Sequence, residues 1–106
     1  MSDYLRAATF STQLNTPFRV RLSRITALEV ELVEVTGKGA LDGQQPPAAA
    51  RQERFSIVFR GPRDKRLQQG IYQMQHDQLG ALDLFLVPVG QDQGGVYYEA
   101  VFNRLQ

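Results

Sequence analysis

The stretch from Gly70 to Asn103, GIYQMQHDQLGALDLFLVPVGQDQGGVYYEAVFN, constrains this chain more than any other part of it. Runs of alternating apolar and polar residues are separated there by glycine-bearing turns, which reads as three consecutive β-strands. Tyr72, Met74 and His76 share one face, opposite Ile71, Gln73 and Gln75. His76 to Gly80 is a connection. Residues 81–89 are apolar on both faces, with Leu82, Leu84 and Leu86 on one and Phe85, Val87 and Val89 on the other, the pattern of a central or an interface strand. Pro88 has no ladder donor and belongs near a strand end or at an edge. Gly90 to Gly95 reads as a glycine-rich hairpin loop. Tyr98, Ala100 and Phe102 then alternate with Tyr97, Glu99 and Val101 in a last strand.

The first half carries the same period. Phe18, Val20 and Leu22 alternate with Arg19 and Arg21, and Leu28, Val30 and Leu32 alternate with Glu29 and Glu31. A hairpin turning at Ile25 sets Leu22 against Leu28, Val20 against Val30 and Phe18 against Leu32. Its other face pairs Arg21 with Glu29 and Arg19 with Glu31, opposite charges worth a few tenths of a kcal/mol each. Arg19 and Arg21 admit an anion-binding reading, but this register makes them cross-strand partners. Val33 and Val35 break the phase, which a β-bulge near Leu32–Val33 would produce; otherwise both faces are buried there. Phe55, Ile57 and Phe59 form another strand, stopped by Gly61-Pro62 and followed by the charged turn Arg63-Asp64-Lys65-Arg66.

Two segments lie outside this pattern. Tyr4, Leu5, Phe10 and Leu14 are apolar anchors in residues 1–16, where Thr9 is placed to cap one helical turn over Phe10–Leu14, a plug on one end of the sheet. Residues 37–53, GKGALDGQQPPAAARQE, lose all periodicity and form a long loop. The expected architecture is one all-β domain over 1–106, with about six antiparallel strands in a small barrel or a two-sheet sandwich and a short N-terminal helical turn. A chain of 106 residues has room for one such core.

Composition narrows the function classes. The absence of cysteine excludes a disulfide framework and thiolate chemistry. The first residues lack the pattern of a secretory signal, and no apolar run reaches the roughly 20 residues of a membrane span; the expected location is the cytoplasm. The single histidine, His76, would need a hydroxyl such as Ser56 and a carboxylate such as Asp83 or Glu99 to act in nucleophilic catalysis. Nothing in the sequence joins them, and His76 beside Asp77 reads as a turn hydrogen bond. No catalytic, cofactor or metal site is expected.

Two binding readings remain. Residues 51–66 carry a net charge of +4 and residues 67–106 a net charge of −3, while the whole chain is at +1. Arg60, Arg63, Lys65 and Arg66 could bind nucleic acid or another anion, with tyrosines to stack on bases, although the near-neutral total falls short of a nucleic-acid footprint. The better reading is a protein partner or self-association through Phe85, Val87, Tyr97, Tyr98 and Val101. Apolar surface there exceeds what a small core hides, and a last strand left as an edge recruits other strands.

The segments FRVRL, LEVELVEV (Leu28–Val35), FSIVFRGP (Phe55–Pro62), Gly70–Gly90 and YYEAVFNR (Tyr97–Arg104) resemble a small bacterial family known only as a domain of unknown function. Gly61-Pro62, Gly70 with Tyr72, His76, Leu79-Gly80 and Pro88–Gly90 look like its pattern. The resemblance covers nearly all the chain apart from 37–53. It implies a fold signature of turns and strand ends with no active-site residues. The resemblance also implies encoding near phage-tail-like collar proteins, and with it an accessory role in such an assembly.

Overall fold

Period-two burial runs through six segments, and the computed structural model, which describes residues 7–38 and 52–105, pairs all six into one closed antiparallel barrel. The elements are α1 (Ala7–Ser11), β1 (Pro17–Arg21), β2 (Ala27–Lys38), β3 (Gln52–Gly61), β4 (Gly70–His76), β5 (Gly80–Asp92) and β6 (Gly95–Leu105), and the order around the barrel is β1-β2-β3-β6-β5-β4. It is a barrel and not a sandwich. Two three-stranded meanders, β1–β3 and β4–β6, are joined by a crossover at 62–69. One junction between them is long, β3 pairing β6 from Gln52↔Leu105 to Gly61↔Val96; the other is short, β1 pairing β4 only at Arg19↔Gln75 and Val20↔Met74.

The inner face is the apolar one. Phe18, Val20, Ile57, Phe59, Met74 and Leu86 are each fully buried. Phe10 of α1 plugs the barrel, its ring 6.0 Å from Phe55 and 5.4 Å from Phe102, which stack on each other at 4.5 Å. Aromatic pairs of this kind contribute about 0.5–1.5 kcal/mol beyond area burial. The plug was legible in the sequence, but its helix begins earlier than expected. Thr9 lies within α1, its carbonyl accepting from the Thr12 hydroxyl at 2.8 Å, and Leu14 is exposed past the helix end. Tyr4 and Leu5 lie outside the described residues.

The first hairpin departs from expectation by two residues. Phe18 faces Val30, Arg19 faces Glu29, Val20 faces Leu28 and Arg21 faces Ala27. The Ser23 side chain decides this: its oxygen accepts from the Ile25 and Thr26 amides at 3.3 and 3.1 Å, which centres the turn on Arg24 and not on Ile25. An even slip keeps every side chain on its face, so the core is unchanged while the charged neighbours are exchanged.

The bulge at Val33 is present, between Leu32 and Glu34 of β2. A second interrupts β5–β6 between Pro88 and Gly90. Pro88 lies inside a strand that runs on to Asp92, not at its end. It is tolerated there because β5 has passed its last β4 pair, Gly70↔Leu86, and the bulge follows at once. The expected loop at Gly90–Gly95 shrinks to the two-residue turn Gln93-Gly94, closed by Asp92↔Gly95. Gly95 has φ +152°, and a Cβ there would stand 2.3 Å from the Gly61 carbonyl oxygen. The expected loop at 37–53 also shortens: residues 37–38 belong to β2 and 52–53 to β3, and 39–51 lie outside the described residues. No helix among the described residues is long and apolar enough to cross a membrane.

Candidate functional site

Barrel closure sorts the residues singled out in the sequence. Tyr97 and Tyr98 are adjacent on β6 and therefore on opposite faces. Tyr98 points inward and is fully buried. Its hydroxyl accepts from the Leu67 amide at 2.8 Å, tying the crossover to the barrel. Tyr98 is thus a core residue and not a partner contact, because the inner face of β6 is sealed by the closed barrel. Tyr97 points outward and is half-buried. Its hydroxyl donates to the Asp92 carboxylate at 3.0 Å, and the Gly94 amide donates to the same oxygen at 2.7 Å. The Gly94 amide is the main cause of an Asp92 pKa below the usual carboxylate value, with the Tyr97 hydroxyl acting in the same direction.

Nor is the last strand an edge along its length. β6 lies between β3 and β5, and the β5–β6 ladder runs from Asp92↔Gly95 to Val87↔Glu99. Beyond Glu99 the two strands part: β6 continues on β3 alone and the start of β5 on β4 alone. The outer face at this seam is apolar. Phe85 is 49% exposed, Val101 66% and Ile71 74%, with Val87 half-buried beside them. Ile71 and Phe85 are cross-strand partners, and Val101 is exposed on the outer face of β6 beyond its last β5 pair. One pleat away on either side stand carboxylates, Asp83 opposite Gln73 and Glu99 opposite Val87. Ile71 was missed in the sequence because its neighbours on β4's outer face, Gln73 and Gln75, made that face look wholly polar.

The four cations proposed for anion binding differ in what they already hold. Arg60 lies on β3, not in the turn, opposite Glu31 and Tyr97. Its guanidinium donates to the Glu31 carboxylate, the first cause of its raised pKa. Arg66 donates to the Gln91 side chain at 3.2 Å, and Arg63, Lys65 and Arg66 are all exposed in the turn.

His76 is buried on the inner face of β4 against the Phe18 ring, 4.3 Å between centroids. Its Nδ1 accepts from the Gln78 and Leu79 amides at 2.9 and 3.1 Å, so that nitrogen carries no proton. The proton is then on Nε2, which donates to the Thr16 hydroxyl at 2.9 Å, and Thr16 donates to the Gln13 carbonyl at 2.6 Å. Burial pushes the His76 pKa below its usual value, opposed by Asp77 and assisted by Arg19. The ring has no free lone pair to serve as a base and fastens the 77–79 turn to the α1–β1 linker. Ser56 is on the outer face of β3 between Thr36 and Val101, away from the inward-pointing imidazole; Asp83 and Glu99 also point outward. Among the described residues no three His, Cys, Asp or Glu side chains converge where a metal ion would be held.

A second exposed feature is a cleft of about 210 Å³ at the β1–β2 turn, lined by Arg19, Arg21, Ser23, Arg24, Ile25, Thr26, Ala27 and Gln75. Arg19 pairs with Asp77 at 3.1 Å at its margin.

A family model described as Domain of unknown function (DUF6916) matches residues 5–102, which takes in α1 and nearly the whole barrel. No match was found among curated proteins or among solved structures.

Proposed function

The chain belongs to the DUF6916 family, and on that premise we propose that it is a non-enzymatic protein–protein interaction or assembly domain, an accessory component of a phage-tail-like machine. The observation that carries this reading is the exposed apolar pair Ile71–Phe85 on β4 and β5, with Val101 exposed on β6 where the β5–β6 ladder has ended. Large exposed apolar side chains placed side by side mark contact surfaces, whereas scattered ones do not. The occupant is a separate protein presenting an apolar segment flanked by lysine or arginine, which complements Asp83 and Glu99. A second copy docking by the same face would set those carboxylates near their own counterparts. The free side of β6 beyond Glu99 offers unpaired backbone groups to an extended segment of that partner.

The test is affinity capture from lysate of the source organism with the wild type and with Phe85→Glu/Val101→Glu. A stoichiometric partner held by the wild type at high salt and lost by the variant supports the reading. Identical recovery by both proteins sinks it. A concentration-dependent homodimer abolished by the same variant transfers the face to self-association.

A further inference from the structure

The two-residue slip of the first hairpin leaves an arginine group without the partners its sequence pattern promised. In the register read from the sequence, Arg21 opposes Glu29. In the structure Arg21 opposes Ala27, and Glu29 opposes Arg19. Arg19 also holds Asp77, so its guanidinium is already engaged. Arg21 and Arg24 have no hydrogen bond or ion pair among the described residues, and none of the eight residues lining the cleft is acidic.

We propose that this cleft is a binding site for the phosphate group of a small molecule. Arg19 and Arg21 project from the outer face of β1, Arg24 from the apex of the turn, and Gln75 from β4 opposite Arg19. The two arginines without partners, Arg21 and Arg24, border one small space from two backbone positions, with Arg19 engaged by Asp77 at its margin, and suit an oxyanion that accepts forked contacts in different planes. A single carboxylate, with two coplanar oxygens, satisfies one such fork. Ser23 adds a donor: its oxygen already accepts from two amides, so its hydroxyl proton is free to point outward. A cleft of about 210 Å³ holds roughly seven waters at about 30 Å³ each, below the roughly 300 Å³ at which drug-sized sites begin. It takes a headgroup and a short attached chain. Ile25, 94% exposed, and Ala27 give that chain an apolar lip. The site is separate from the seam between β5 and β6 and does not depend on it.

The experiment is a ¹H–¹⁵N titration of the protein with inorganic phosphate at constant ionic strength. The expected result is saturable shifts of the Ser23–Ala27 amides and of the arginine Nε–H groups. In Arg21→Gln/Arg24→Gln, whose side chains are exposed and outside the core, affinity should fall by at least about tenfold, the effect of losing a charged hydrogen bond. Arg63→Gln/Lys65→Gln should titrate as the wild type. Shifts that fail to saturate, that map to residues 63–66, or that survive in the Arg21/Arg24 variant overturn the proposal. A single-stranded oligonucleotide lacking terminal phosphate is titrated alongside. If it moves the Ser23–Ala27 amides at lower concentration than phosphate does, the ligand is a polyanion and the small-molecule assignment falls.

Discussion

Replacing Tyr98 by Phe and, separately, Tyr97 by Phe makes the same chemical change at neighbouring positions with opposite surroundings. At Tyr98 the lost hydroxyl is the acceptor for the Leu67 amide at 2.8 Å, inside a site where Tyr98 is 0% and Leu67 6% exposed. Water cannot replace it without opening the end of the barrel. The stranded amide costs about 1–3 kcal/mol. For a domain near this size each kcal/mol moves Tm by roughly 4–8 °C, so a loss of about 4–24 °C is expected. At Tyr97 the hydroxyl lies on an exposed turn, where water takes over as donor to Asp92 and the change should be a small fraction of that. Thermal melts and urea titrations of the two variants measure the difference, and an unchanged m-value shows that the denatured state is unaffected. A Tyr98→Phe cost below about 0.5 kcal/mol, the range of ordinary surface changes, would refute the claim that this hydroxyl pins the crossover. Equal costs at the two positions would do the same.

Gly95→Ala drives a Cβ to within 2.3 Å of the Gly61 carbonyl and should lose more than about 3 kcal/mol or fail to fold. Gly90→Ala meets nothing within 4 Å and should leave thermal stability unchanged or raise it by up to about 1 kcal/mol. Phe10→Ala empties the plug and should cost about 3–5 kcal/mol in a urea titration, since Phe10 is fully buried. His76 is held neutral, with a folded pKa below its ordinary 6.5, so the unfolded chain takes up the proton first as pH falls. Its contribution is complete above about pH 6.5 and is lost on acidification towards the folded pKa. Urea midpoints across that window should fall for the wild type and stay flatter for His76→Gln.

The family assignment and the fold agree with what alternation reports. Period two in Phe18–Leu22, Phe55–Phe59, Gly70–His76 and Tyr97–Phe102 was enough to find the strands and divide their faces, because a strand half-buried in a core must alternate. The phase break at Val33 located a bulge for the same reason. The fully buried Phe10 was legible as an apolar anchor just before a helix-breaking stretch.

Neighbours across strands were not legible. A two-residue slip costs the core nothing, so the apolar pattern accepted both registers of the first hairpin, and the Ser23 turn chose between them. That choice sent Glu31 to Arg60, Glu29 to Arg19, and left Arg21 at the rim of a cleft. Alternation likewise put Tyr97 and Tyr98 on opposite faces without saying which was inside; closure of β6 between β3 and β5 decided it. By itself the sequence determined which residues turn to a common side, since burial of apolar area is non-directional and depends only on the face. Only the tertiary structure decided which side chains meet, since hydrogen bonds and ion pairs depend on register and closure, which non-local pairing sets.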